Sequence, residues 1–180
     1  TRSMSYAATA ERSATTLVVG LGNPILGDDG VGWRVADAVE ARLARDRRMS
    51  DAIGRVELDR MSVGGLTLME RLIGYKRVVI TDAAADGRPP GSIWAGDPAE
   101  LVRRTAEHLD SAHDVTLQGA MDLAAALGAD LPRDVHVVTV SVTGVGGEFS
   151  ESLSPAVQRG VGPAAEAIVR ILVDPGLRAP

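Results

Sequence analysis

Asn23, Asp28, Asp29, Asp82 and His113 have side chains that could do chemistry, and each stands at an element boundary. Asn23, Asp28 and Asp29 follow a short β-branched run, Thr16 to Gly20. Asp82 closes the run Val78-Val79-Ile80-Thr81. His113 stands four positions before Leu117, one turn ahead of the apolar stripe of a predicted helix, and so at that helix's amino end. Carboxylates with an imidazole form a mixed oxygen and nitrogen set that leaves positions open for a further group. Such a set suits a borderline divalent ion such as nickel or zinc. The chain has no cysteine, which excludes a thiolate site, a disulfide and a Cys nucleophile.

Blander roles exist for the same residues. Asp28-Asp29-Gly30 reads equally as a turn and helix cap, since acids near a helix start are favourable in any case. Asp82 could cap a following turn, and His113 could be a cap or surface residue. His108 and His136 read as structural or solvent-facing. Trp33 lies off the apolar stripe of its helix, so it either packs under a neighbour or lines the mouth of a site.

The elements that must position these residues alternate between strand and helix. Thr16 to Gly20 reads as a buried strand, and Gly22 to Asp29 as a loop. Val31, Val35, Ala38, Val39 and Leu43 recur at helical spacing to about Arg45. Ile53 to Leu58 reads as a second strand, Gly64 to Ile73 as a helix, and Val78 to Ile80 as a third strand. Arg88-Pro89-Pro90-Gly91 is a turn before a short strand, Ser92 to Ala95. Asp97-Pro98-Ala99-Glu100 has the form of a helix start, with Asp97 as cap and Glu100 reaching back to it. Asp114 to Leu127 reads as a helix, Val135 to Val142 as a strong strand, and Ser154-Pro155 as the cap of a last helix striped by Val161, Ala165, Ile168 and Leu172.

This alternation predicts a three-layer α/β fold, a mostly parallel twisted sheet of about five strands with helices on both faces. Such sheets bind ligands at the carboxyl ends of their strands, which is where the five polar residues fall. Residues 1–15 are small and polar, without the hydrophobic centre of a secretory signal, and are expected to form a disordered tail. Residues 16–175 are expected to form one domain, with an aliphatic core because aromatics make up only 3% of the chain. The net charge of −5 disfavours a nucleic-acid partner. The cluster Arg42, Arg45, Arg47 and Arg48 reads as a solvated helix end. No apolar run is long enough to span a bilayer.

Gly20, Gly22 and Gly27 do not match a dinucleotide loop. Gly20-x-Gly22 is followed by Asn23-Pro24 rather than x-x-Gly, and Pro24 blocks an immediate helix start. The acid that such a site needs after the second strand is missing unless Asp59 serves.

Gly20-Leu21-Gly22-Asn23, a short apolar loop and Asp28-Asp29-Gly30-Val31-Gly32 resemble the opening signature of the hydrogenase maturation endopeptidases. Those enzymes cut a C-terminal extension from the large subunit of nickel-iron hydrogenases after nickel insertion. Val79-Ile80-Thr81-Asp82-Ala83 is similar to the family's second strand-end Asp-Ala, and Ser111-Ala112-His113 to its Ser-x-His helix start. Gly147-Glu148 and Leu153-Ser154-Pro155-Ala156-Val157 resemble its segment before the last helix. The resemblance implies Asp29, Asp82 and His113 as metal ligands, Asp29 and Asp82 as the catalytic pair of an aspartyl-type peptidase, and Asn23, Asp28, Gly64 and Gly65 as substrate contacts. It further implies that the nickel is presented by the substrate, that the enzyme holds no tightly bound metal of its own, and that its partner is the large-subunit precursor. A monomer in the cytoplasm, with no nucleic acid or membrane partner, is expected. Whether Asp29 or Asp28 is the general base stays open. One stretch departs from the family: where an Asp-Gly-Gly-Thr turn is usual, this chain has Arg60-Met61-Ser62-Val63 before Gly64-Gly65.

Two other readings compete. Peptidyl-tRNA hydrolases also open with a strand and Gly-Leu-Gly-Asn-Pro, but their Thr-Arg-His-Asn stretch is missing here. A non-enzymatic α/β binding domain, its acids serving only as caps, is the other.

Overall fold

The computed structural model describes residues 15–62, 65–105, 128–144 and 149–174. Its centre is a five-stranded sheet in the order β2-β1-β3-β5-β4. The strands are β1 (Thr16–Leu21), β2 (Val56–Met61), β3 (Arg77–Ala84), β4 (Ile93–Gly96) and β5 (Asp134–Ser141). All pairings are parallel except that of β4 with β5. The helices are α1 (Val31–Arg45), α2 (Arg47–Ile53), α3 (Gly65–Leu72), α4 (Pro98–Thr105) and α5 (Pro155–Val173).

The inner strands are continuous apolar runs because both of their faces are covered. Val18, Val79, Val138 and Val140 pack with Val31, Val35 and Val39 of α1 and with Val157, Ala164 and Ile168 of α5. On the other face, Leu17, Val19, Val78, Ile80 and Val137 pack with Leu68 and Leu72 of α3 and Leu101 of α4. The three-layer architecture expected from the sequence is therefore present.

Three helix starts follow from local chemistry. Ser154 caps α5, its Oγ accepting from Val157 N, and Pro155 occupies the first turn, where a missing N–H costs nothing. Asp97 caps α4, its Oδ1 accepting from Glu100 N at 2.7 Å. Asp46 caps α2 by accepting from Met49 N at 3.0 Å. Helix α2 and the true bounds of β2 correct the sequence reading, which carried a strand from Ile53 to Leu58. No residue of α2 is buried, so it has no apolar stripe to reveal it. The Arg cluster spans the end of α1 and the start of α2.

Strand order fixes where a site can lie. From β1 the chain crosses to β2 on one side, then returns to place β3 on the other. The crevice at the carboxyl ends of β1 and β3 is therefore a topological switch point. Over that crevice α1 begins in direct backbone contact with the sheet. A Cβ on Gly32 would lie 2.2 Å from Leu21 O and 2.5 Å from Thr81 O, and one on Gly20 would lie 2.4 Å from Gly32 O. No side chain fits either position. Gly162, within α5, has nothing within 4 Å of a built Cβ. We expect Gly32→Ala to lower unfolding free energy by about 3 kcal/mol or more, because backbone rather than a movable side chain must yield. Gly162→Ala should change it by less than about 0.5 kcal/mol, because alanine's helix propensity is offset by its crowding against the ring of Pro163. Urea denaturation of both variants measures the contrast, and a neutral Gly32→Ala would disprove the tight seating of α1.

Candidate active site at the carboxyl edge of the sheet

The loop after β1 folds back on itself. Gly22 adopts φ +116°, and a Cβ there would sit 1.8 Å from Asp29 O. Gly30 packs against Pro24, with 2.7 Å from a built Cβ to Pro24 Cα. Within this fold Leu26 N donates to Asn23 O and Asp29 N to Leu26 O, the latter closing a 3-10 turn over Gly27–Gly30. Asn23 closes the loop twice: its N donates to Asp29 Oδ2 at 2.7 Å, and its Oδ1 accepts from Ile25 N at 3.2 Å. Asp29 is only 8% exposed. A carboxylate so enclosed needs hydrogen bonds, and the Asn23 amide supplies one.

Asp28 and Asp29 point to different partners. Asp28 Oδ1 accepts from Ser154 N at 2.6 Å, tying the loop to the residue that caps α5. The same two segments are joined by a parallel bridge between Leu26 and Ser150, with Gly27 N donating to Ser150 O and Ser150 N to Ile25 O. Asp28 is thus a strut, and Asp29 is the acid left at the crevice.

Asp82 reaches the same crevice from β3. Thr81 is the last β3 residue paired with β1, opposite Gly20, and Asp82 follows it. Its Oδ1 accepts from Ala83 N at 2.8 Å. Strand alternation places Asp82 with Ile80 on the α3 and α4 face, and Thr139 of β5 is its neighbour in register. The 3-10 turn carrying Asp29 packs against β3. Gly65 begins α3 with φ +60°, beyond the carboxyl end of β2. Gly64, His113, the predicted helix from Asp114 to Leu127, His108 and Gly147-Glu148 lie outside the described residues. Among the described residues no three His, Asp or Glu form a group that could hold a metal. Two of the three expected ligands, Asp29 and Asp82, are described, and both flank the switch point.

Other sequence candidates prove structural. Trp33 Nε1 donates to Met61 O at 3.2 Å, so the ring packs across to the end of β2. In the stretch that departs from the family, Arg60 pairs with Asp37 at 2.7 Å and with Glu40, on the outer face of α1. Asp59 accepts from Arg60 N and Arg71 Nε, which leaves it no part in a dinucleotide site. A polar cleft of about 280 Å³, lined by Gly96, Asp97, Glu100, Arg133, Asp134 and His136, opens at the opposite edge, the amino end of β5. There His136 is buried, with Nε2 2.8 Å from Asp134 Oδ1. The cleft contains none of the five polar residues singled out from sequence.

The profile of the hydrogenase maturation protease family (HycI) matches residues 61–171. The hydrogenase expression/formation protein HupD of Thiocapsa roseopersicina is 30% identical over 164 residues, which is 91% of this chain and 70% of that protein. The chain belongs to the hydrogenase maturation protease family. It is therefore a peptidase. The profile match begins after the glycine-rich opening segment and spans the later motifs, Val79 to Ala83, Ser111 to His113 and Leu153 to Val157. It also removes the tRNA hydrolase reading, which rested on Gly20 to Pro24 alone. In fold, the hydrogenase maturating endopeptidase HybD of E. coli superposes with a TM-score of 0.70 at 22% identity, over 92% of this chain and 96% of that one. HybD of Thermococcus kodakarensis gives 0.63 at 23% identity, over 88% and 99%.

One feature of this maturation protease left no sequence signal. Asp86, just past β3, pairs with Arg88 at 2.6 Å, and Arg88 also donates to Ile93 O. This brace shapes the turn into β4 on the same sheet edge. Burial would raise the Asp86 carboxyl pKa, but the nearby Ser141 hydroxyl and the hydrogen bonds from the Arg88 guanidinium and amide hold it below the ordinary 3.8. A pKa lower in the folded state gives stability that is fully present above pH 3.8 and is lost as pH falls through the folded value. The stability gap between wild type and Asp86→Asn should therefore be constant at neutral pH and close in acid. Denaturant titration across that range checks it, and a gap that persists in acid contradicts the brace. The Asp28 strut gives a second expectation. Asp28→Ala should cost about 1–3 kcal/mol by stranding Ser154 N, while Asp28→Asn, which still accepts, should lose far less. Equal melting temperatures for the two variants would disprove the strut.

Proposed function

We propose that this protease removes the C-terminal extension of a nickel-iron hydrogenase large-subunit precursor after nickel insertion, and that it recognises the nickel held by that precursor. The observation that carries this reading is the placement of Asp29 and Asp82 on either side of the β1–β3 switch point, both fixed by backbone hydrogen bonds. With His113 they supply a mixed oxygen and nitrogen set suited to nickel but short of a full coordination sphere. An incomplete set binds a free ion weakly. It engages firmly only when the ion already carries the precursor's ligands, so maturity of the substrate becomes the condition for binding. The nickel belongs to the substrate, and the enzyme holds no tight metal of its own.

Asp29 and Asp82 are the proposed catalytic residues, and with His113 the proposed ligands. We assign the general base to Asp29 rather than Asp28: each has one oxygen held by a backbone amide, but Asp29 is held within its own loop by Asn23, whereas Asp28 is drawn to Ser154 at the start of α5. Water adds to the scissile carbonyl carbon as its proton passes to the carboxylate. The C–N bond then breaks, and the proton passes to the leaving amine. Asn23 and Asp28 hold the loop against which the substrate lies, and Gly64 and Gly65 are the further proposed substrate contacts. The working form is taken to be a cytoplasmic monomer without nucleic-acid or membrane partners. Among the described residues no helix is long and apolar enough to cross a membrane.

A processing assay with nickel-loaded and nickel-free precursor tests this. We expect the shortened product from the loaded form only. Asp82→Asn should lower the rate by at least about a hundredfold, a loss in the range of a catalytic acid or base, with nearly unchanged melting temperature. His113→Ala should weaken engagement of the loaded precursor. Equal cleavage of the nickel-free form would remove nickel recognition, and no cleavage of the loaded form would remove the substrate assignment.

A further inference from the structure

Three large apolar side chains are exposed among the described residues: Ile25 at 45%, Phe149 at 84% and Val173 at 54%. Val173 ends α5, at the far edge of the sheet. Ile25 and Phe149 each immediately precede one end of the parallel bridge between Leu26 and Ser150, so their backbones lie on neighbouring segments. Phe149 is the single phenylalanine of the chain, and it stands almost wholly in solvent in a protein poor in aromatics. Nothing in the fold requires this, since the two main-chain bonds across the bridge are made whatever the side chains.

The pair is also rigidly held. Ile25 N donates to Asn23 Oδ1, and Ile25 O accepts from Ser150 N. The 149–154 segment is fixed by Ser150 Oγ to Ser152 O at 3.0 Å, by Arg34 Nη2 to Glu151 O at 3.1 Å, and by Ser154 N to Asp28. The loop that carries Ile25 carries Asp29 four residues on, so the apolar pair is continuous with the candidate active site. A rigid aromatic and aliphatic pair needs little ordering when it is buried by a partner.

We infer that Ile25 and Phe149 form an apolar docking ledge for the precursor polypeptide, gripping an apolar side chain of the segment that runs past Asp29 to the scissile bond. This rests on the proposed substrate, which is a protein chain that must lie across this rim to bring its bond to Asp29. The ledge contributes ground-state binding and touches no reacting group, so its loss should fall on KM and spare kcat.

The test is steady-state processing of nickel-loaded precursor by wild type, Ile25→Ser, Phe149→Ser and Phe149→Leu. Phe149→Ser and Ile25→Ser should each raise KM between about tenfold and a hundredfold, the range for uncovering a large apolar contact, with kcat within about twofold. Phe149→Leu should recover most of the loss, and melting temperatures should not change because both residues are exposed. Rapid-mixing binding of nickel-loaded precursor to wild type and to Phe149→Ser, followed before cleavage, provides a readout without turnover, and the substitution should weaken it by the same factor. Wild-type cleavage with unchanged KM in both serine variants overturns the ledge alone. Absence of both wild-type cleavage and binding overturns the substrate assignment, and the ledge with it. A wild-type dimer in sedimentation that Phe149→Ser dissolves overturns the ledge in favour of a second copy as its occupant.

Discussion

The whole carboxyl edge depends on backbone lying against backbone at the end of β1. Gly20 faces the carbonyl of Gly32, Gly22 faces the carbonyl of Asp29, and Gly30 abuts Pro24, all at distances that a single Cβ would violate. Remove that closeness and α1 must lift from the sheet. The 3-10 turn would lift with it, and Asp29 would leave the crevice beside β3. In many α/β proteins glycines at this point clear space for a phosphate. Here the space is filled by the chain itself, with Asn23-Pro24 folded under Gly30. The same residue type at the same topological place therefore serves packing rather than ligand cradling.

That packing gives the two neighbouring acids distinct roles. A 3-10 turn advances about a third of a turn per residue, so adjacent side chains cannot share a partner. Asp28 turns outward to the amide of Ser154 and fixes the start of α5, while Asp29 turns inward and is closed by the Asn23 amide. The strut and the bridge to Ser150 join loops that are far apart in sequence into one rigid rim. Rigidity matters because a carboxylate that must meet an incoming group gains most when its geometry is set beforehand.

Much of this was legible in the sequence, for identifiable reasons. β1, β3 and β5 are buried on both faces and appear as unbroken apolar runs. The last helix shows its stripe because Val161, Ala165, Ile168 and Leu172 all face the core. β2 was read about three residues early because it is an edge strand. Its Glu57, Asp59 and Arg60 answer to Arg71, Asp37 and Glu40 rather than to a core, so no clean period survives. The direction of β4 was not readable, since a four-residue strand carries no mark of its orientation. For the candidate site, the strand-end rule singled out Asp29 and Asp82, which both flank the switch point, because strand ends are visible in sequence. It could not separate Asp28 from Asp29, because the partner that distinguishes them, Ser154, lies 126 residues away. Asp86 and Arg88 stayed hidden in a turn whose composition signals only a turn.

The polar cleft and the candidate chemistry stand at opposite edges of the sheet. For an enzyme of a small molecule this would count against the candidate site, since such ligands are bound by enclosure. A protease acting on a folded precursor faces a different constraint. Its substrate brings its own bulk, its own metal on the proposed reading, and a chain that must enter and leave. An open rim with two fixed carboxylates is then the better shape, because the partner supplies the missing wall and excludes water only when it is seated. Enclosure in advance would bar the folded body to which the scissile segment is attached. The exposure of Ile25 and Phe149 fits the same constraint: apolar surface beside such a site stays in solvent until a polypeptide of matching character covers it.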